Sequence, residues 1–271
     1  MATRLDQYLA DEGLSESCEQ AKKEIMTGWV KVNGETIRKP AHTIKKNSII
    51  TVERPGGLYV SRGGEKLHKA LETFNIIAKN KTCVDLGAST GGFTDCLLKH
   101  GAHKVYAIDV GYGQLDFSLR NNDRVIVMER THVNDLKSKD FSEKIDLVVA
   151  DLSFISLSRI YDQIKRLFKD AEVLLLLKPQ FEAQSGEHEK GVVRNIEHHK
   201  IIVQRTIEDL GARGLTFNAI DFSPIKGPAG NIEFLLYGIL GDEAKTIKEG
   251  DLVKIEEIVE SAHSSLNEKK S

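Results

Sequence analysis

From residue 62 onward the chain alternates short apolar runs with helical patterns, and this alternation limits the fold more than any other feature. Seven runs read as strands: KTCVDLG, KVYAID, RVIVME, IDLVVAD, AEVLLLLK, LTFNAIDF and IEFLLYGIL. Between them, GGFTDCLLKHG, ISLSRIYDQIKRLF and IEHHKIIVQRTIEDLG carry the spacing of amphipathic helices. A strand that returns to its sheet through a helix runs parallel, so the pattern predicts an α/β fold with a mostly parallel sheet of seven strands and helices on both faces. Only SPIKGPAGN separates the last two runs, too little for a parallel crossover, so one late strand is expected to be antiparallel. The stretch LLLLKPQFE, residues 174 to 182, adds a chemical question. Its apolar part suits burial on both faces, Pro179 ends it, and Lys178 is left at the strand end. A lysine there is ordinarily just solvated.

Composition is that of a soluble globular protein, with 40% apolar and 29% charged residues. A net charge of −2 excludes a globally basic nucleic-acid binder but leaves local patches open. Cys18, Cys83 and Cys96 show no CxxC spacing, which argues against a disulfide framework or zinc site and fits a reducing cytoplasm. The nine histidines form no HExxH, and no metal is expected. The opening MATRLDQYLADEG is too polar for a signal peptide, and no window approaches the ~18 apolar residues of a membrane span.

Residues 1–55 read as a separate small α+β unit, 56–62 as a linker around Gly56-Gly57, and 63–271 as the main domain. In the first unit, TRLDQYLADEG suggests a helix with a threonine cap and Leu5, Tyr8 and Leu9 on one face. SESCEQAKKEIMTGWV suggests a second helix with a serine start, Ala21, Ile25 and Met26 inward, and Gly28 at its end. VKVNGETI and SIITVE read as strands, the first with an Asn33-Gly34 turn. Residues 22 to 46 hold seven basic side chains against Glu24 and Glu35, a local net charge of +5. With Arg4, the candidate RNA contacts are Lys22, Lys23, Lys31, Arg38 and Lys39. The pattern RLDQYL…AKKEIMTGWVKVNGETIRKP resembles the small RNA-binding module of the fourth small-subunit ribosomal protein. It departs from that module near Cys18, where an arginine is usual.

Doubly wound sheets bind ligands at the carboxyl ends of their strands, near the topological switch. Here the first strand runs into VDLGASTGGFTDCLL, and Asp109 closes the second strand 24 positions after Asp85. DLGASTGG does not match the GxGxxG of dinucleotide enzymes, and Asp85 at its head would repel a pyrophosphate while suiting a cationic cofactor. DLGxxxGG resembles motif I of S-adenosylmethionine-dependent methyltransferases. The resemblance implies that Gly87, Ser89 and Gly92, with Gly91 and Phe93 beside them, hold the methionine part of that cofactor and that Asp109 holds its ribose. It also places Asp135 of THVNDL near the adenine, although a turn cap explains this residue equally well.

IDLVVAD ends at Asp151, beside this loop, and continues as DLSF rather than the Asp/Asn-Pro-Pro-aromatic of base-amine methyltransferases. None of the cysteines ends a relevant strand, as carbon methylation of pyrimidines would require. What remains is Asp151 and Lys178 at neighbouring strand ends, Glu233 interrupting an apolar strand, and Lys66 just after SRGG. A Lys-Asp-Lys-Glu set on this fold resembles that of the FtsJ-like ribose 2′-O-methyltransferases. It implies Lys178 as the residue that activates a ribose hydroxyl, Asp151 and Glu233 as its orienters, and Lys66 as a positioner. The order of the two units, with SRGGEKL, LSFISL, LLKPQFE and GVVRN, is similar to the TlyA family, also labelled hemolysins. That resemblance implies 2′-O-methylation of cytidines in ribosomal RNA within ribosomal subunits. Two rivals stand beside it: a membrane-active toxin, and an RNA-binding protein with a defunct enzyme domain. GEHEKGVVRN reads as a mobile lid or a plain loop, and the acidic tail from residue 241 as a solvated helix.

Overall fold

The computed structural model describes residues 3–11, 14–15, 17–45, 48, 50–52, 58–246 and 248–267. It divides into two compact units, Met1–Leu58 and Tyr59–Ser271. Gly56-Gly57 and Lys46 lie outside the described residues.

The first unit runs β1 (Thr3–Arg4), α1 (Leu5–Asp11), α2 (Cys18–Thr27), β2 (Val30–Val32), β3 (Glu35–Ile37), β4 (Thr43–Ile44) and β5 (Ile50–Val52). β3, β2 and β5 form an antiparallel sheet, and β1 pairs antiparallel with β4. Thr3 is therefore a strand residue and not the expected helix cap, because its backbone is taken up opposite Ile44. The second helix is capped as expected: the Ser17 side chain accepts from Gln20 N, and Gly28 closes it at φ 86°. Asn33 and Gly34 turn the hairpin at φ 53° and 86°, the left-handed pair a tight two-residue loop requires. Leu5, Leu9, Ala21, Ile25, Val30, Val32 and Ile44 make the core. Met26 does not join it and is 62% exposed. The inward slot next to Ile25 belongs to Glu24, whose carboxylate accepts from buried Ser15 at 2.5 Å.

The second unit runs α3 (Gly63–Thr73), β6 (Thr82–Leu86), α4 (Gly92–Lys99), β7 (Lys104–Ile108), α5 (Phe117–Arg120), β8 (Val125–Met128), β9 (Leu147–Ala150), α6 (Leu157–Leu167), β10 (Glu172–Leu177), α7 (Pro179–Glu182), α8 (Ile196–Ala212), β11 (Leu215–Phe222), β12 (Phe234–Leu240) and α9 (Glu249–Asn267). Its sheet is ordered β11-β12-β10-β9-β6-β7-β8, and only β12 opposes its neighbours. This is the mostly parallel, seven-stranded Rossmann-like sheet that the alternation predicts. β6 leads to β7 on one side and pairs with β9 on the other, so the topological switch lies at its carboxyl end.

The four-leucine run shows why burial on both faces selects such sequences. Val173, Leu175 and Leu177 enter one apolar cluster, while Leu174 and Leu176 enter the cluster on the opposite face. Truncating any one of these leucines to alanine removes packing worth about 2–5 kcal/mol. After Pro179 starts α7, Glu182 caps the neighbouring α6 by accepting from Leu157 N and Ser156 Oγ, both at 2.7 Å. The final helix is not simply solvated: α9 buries Ile255, Val259 and Ala262. Lys254, Glu256, Glu257 and Glu260 are exposed, and this run of charge hides the apolar stripe from a reading of composition alone.

Candidate active site

The loop after β6 is shaped by what lies beside it. Gly87 has φ 85°, and a Cβ there would stand 2.5 Å from the Asp151 carbonyl oxygen, so only glycine lets the exits of β6 and β9 pass each other. The N–H groups of Gly87 and Ala88 both donate to the Ile108 carbonyl, tying the loop to the end of β7. Asp109 completes the tie, accepting from Ser89 N at 2.9 Å and Gly111 N at 2.6 Å. Gly91, at φ 94°, begins α4 and packs against Leu115 and Leu119, away from the cleft.

Two adjoining cavities open at the switch point, and both are lined by Gly87, Ser89, Asp151 and Ser153. The larger, about 530 Å³, carries Asp109 and Gln114 among apolar walls such as Ile108, Val133 and Ile160. The smaller, about 320 Å³, brings in Gly92, Phe93, Lys66, Lys178 and Glu233. Asp135 lines neither; it is exposed, and His132 and Val133 of the same turn face the larger cavity instead.

Asp85 also departs from its expected place. It is fully buried below the loop, where it accepts from Thr94 Oγ1 at 2.7 Å, and it touches neither cavity. Its role is to shape the start of α4, because a side chain of β6 at this register points into the core. Burial lifts its carboxyl to about 7, partly opposed by the Thr94 hydroxyl. Between pH ~4 and ~7 the folded chain therefore keeps a proton that the unfolded chain has lost, and stability falls as pH rises through that window. In Asp85→Asn this decline should flatten by up to about 1.4 kcal/mol per pH unit, read from urea unfolding at stepped pH. An unchanged slope would place the ionisation elsewhere.

The four polar residues at the strand ends do meet. Lys178 Nζ lies 2.6 Å from Asp151 Oδ1, and Lys66 Nζ lies 3.7 Å from Asp151 Oδ2 and 2.6 Å from Glu233 Oε2. Asp151 thus bridges two ammonium groups. One expectation changes: Glu233 is bonded to Lys66, and Lys178 instead donates to Ser153 Oγ at 3.0 Å. The strand register puts Glu233 opposite Lys178, since Leu177 faces Phe234, but Lys66 reaches in from α3 and takes the carboxylate.

Ser153, Gln114 and Phe154 are site residues that the sequence reading passed over. Phe154 is 91% exposed at φ 64°, with its ring 5.5 Å from that of Phe181. A bulky side chain held at positive φ is costly and tends to mark function, and this is a signal of the backbone that DLSF as a sequence does not carry. GEHEKGVVRN is held rather than free: Arg205 grips Glu187 at 2.8 Å, and Asn231 bonds both Gly191 and Val193.

The sheet order, the glycine turn and the acid closing β7 define a Rossmann-like methyltransferase. Residues 59–239 match the FtsJ-like methyltransferase family, and residues 3–50 match the S4 domain. The chain belongs to the FtsJ-like methyltransferases and, among them, to the TlyA family, which joins the two parts. It is similar to Hemolysin A of Brachyspira hyodysenteriae, 44% identical over 240 residues that cover 88% of this chain and 100% of that one. It is also similar to the 16S/23S rRNA (cytidine-2'-O)-methyltransferase TlyA of Mycobacterium tuberculosis H37Rv, 41% identical over 240 residues covering 86% and 88%. A solved structure from Streptococcus thermophilus, provisionally described as a hemolysin, superposes with a TM-score of 0.77 at 36% identity, covering 99% of this chain and 98% of that one.

Proposed function

We propose that this chain is an S-adenosylmethionine-dependent 2′-O-methyltransferase of cytidine ribose in ribosomal RNA, acting in the cytoplasm. The observation that carries the reading is the Glu233–Lys66–Asp151–Lys178 chain beside the glycine loop. The residues suit the cofactor: the larger cavity offers apolar walls for a base, Asp109 for a ribose, and Ser89 and Gly87 for the amino-acid end. When bound, S-adenosylmethionine supplies an electrophilic methyl group on a sulfonium. Lys178 then contacts the 2′-oxygen of the target nucleotide. As the 2′-oxygen attacks, its proton would pass to the Lys178 amine, and the ammonium so formed would stay paired with Asp151. Asp151 and Ser153 hold that nitrogen in place, and Lys66, anchored by Glu233, steadies Asp151 from its other side. Phe154 offers an exposed ring on which the target base can stack.

The N-terminal unit, residues 1–55, supplies RNA affinity in this reading, and residues 63–271 the chemistry. Lys22, Lys23, Lys31, Arg38 and Lys39 lie on or beside the sheet and second helix; Lys22, Lys23 and Lys39 are exposed. Arg4 is tied to Asp6 at 2.7 Å, and Arg38 donates to the Thr27 carbonyl at 3.2 Å at the end of α2. Replacing Lys22, Lys23 and Lys39 together by glutamine should weaken rRNA binding and lower the log–log salt slope by about 2, the scale for three lost phosphate contacts. An unchanged slope would remove these lysines from the interface.

The direct assay supplies methyl-labelled S-adenosylmethionine and ribosomal subunits to the purified chain, then digests the RNA to nucleosides. Label in 2′-O-methylcytidine is expected; label in a base, or none, would overturn the reading. The hemolysin labels of the relatives suggest a rival, membrane lysis. Among the described residues, no helix is long and apolar enough to cross a membrane.

A further inference from the structure

On the far side of α3 from Lys66's partners, three side chains converge that the methyltransferase chemistry does not use. His68 and Glu72 stand four positions apart on α3, and His100 follows α4. Among the described residues these form the one group of three His, Cys, Asp or Glu side chains whose donor atoms all lie within 4.8 Å of one another. His100 Nε2 is 3.9 Å from Glu72 Oε1, and the two imidazole centroids are 5.3 Å apart.

The hydrogen bonds behind the rings decide which nitrogens face the cluster. His100 Nδ1 is 2.8 Å from the Cys96 carbonyl, which can only accept, so Nδ1 carries a proton and Nε2 is the nitrogen turned toward Glu72. His68 Nδ1 is likewise held, 3.0 Å from the Tyr59 hydroxyl. A ring nitrogen held from behind by a carbonyl or hydroxyl is the kind of support that orients metal-binding histidines. Both rings are half-buried and Glu72 is exposed, so the carboxylate is the arm that can swing. Ligands on a tetrahedral zinc ion at about 2.0–2.1 Å stand about 3.4 Å apart, and the three donor atoms here already lie within 4.8 Å of one another.

We propose that His68, Glu72 and His100 bind one divalent cation of the zinc class, with the fourth position left to water. Two imidazoles and one carboxylate, without a thiolate, suit zinc and its neighbours and not calcium or magnesium. Sequence spacing hides the site, because the third ligand lies 28 positions beyond Glu72, just past the end of another helix. The ion would staple α3, which carries Lys66, to α4, which begins at the glycine loop, so its effect is on the rigidity of the helices that frame the active site.

The test uses the full chain, stripped with a chelator and titrated with Zn²⁺ by calorimetry, with Co²⁺ absorption as a second probe. One equivalent should bind, raise the melting temperature, and give Co²⁺ d–d bands of four-coordinate nitrogen–oxygen ligation. His100→Gln and Glu72→Gln should each weaken Zn²⁺ binding at least about tenfold, while His188→Gln should leave it unchanged. Melting without metal shows whether each variant folds; Glu72 is on the surface, so Glu72→Gln decides the matter if His100→Gln does not fold. Absence of one-equivalent binding, or binding that Glu72→Gln leaves intact, would reduce the cluster to an ordinary imidazole–carboxylate contact.

Discussion

Lys178→Ala should lower methyl transfer by about a hundredfold or more, with cofactor affinity and folding little changed. Lys178 stands at the end of β10, where the backbone already turns into α7 at Pro179, so alanine fits without strain. Its loss leaves Asp151 with Lys66 at 3.7 Å, so no carboxylate is left uncompensated. What disappears is the nitrogen held between Asp151 and Ser153 at the cavity beside the loop. Lys178→Arg should rescue little, because a planar, permanently charged guanidinium cannot sit in that seat or take a proton. Single-turnover assays separate this from binding. Near-normal single-turnover rates in Lys178→Ala would return the residue to a plain strand-end lysine.

Glu233→Ala should act on stability as well as on rate. Glu233 is 1% exposed and bonded to Lys66, which is itself buried. Removing one member of a buried pair strands the other charge, at a cost of about 3 kcal/mol, the lower end of the usual range because Asp151 remains near Lys66. Glu233→Gln keeps the hydrogen bond and should lose less. The unfolding midpoint of the methyltransferase unit in urea measures both. A wild-type midpoint in Glu233→Ala would mean that Lys66 is solvated and the pair has no structural weight.

These two residues also mark where the sequence was legible and where it was not. The seven strands were readable because parallel strands buried on both faces need unbroken apolar runs, as in Val173 to Leu177. The polar residues at the strand ends were readable as a group, because a glutamate or lysine interrupting such runs needs a partner. Their pairing was not, since Lys66 reaches Glu233 across 167 positions of sequence and displaces the cross-strand neighbour. Asp85 and Asp109 look alike in sequence, each an acid closing a strand, yet one is sealed beneath the loop and the other faces the cavity. Met26 was read as inward and is exposed instead, because Glu24, a buried glutamate with a serine partner, breaks the apolar pattern used to find the inward face of α2.

The roles given to Lys178 and Asp151 depend on ribose methylation of ribosomal RNA. Nucleoside mass spectrometry of that RNA, from cells with and without this chain, tests it most directly. Loss of 2′-O-methylcytidine in the cells lacking it, restored by the wild-type chain and not by Lys178→Ala, is the predicted result. Equal ribose methylation in both, or restoration by Lys178→Ala, would contradict it.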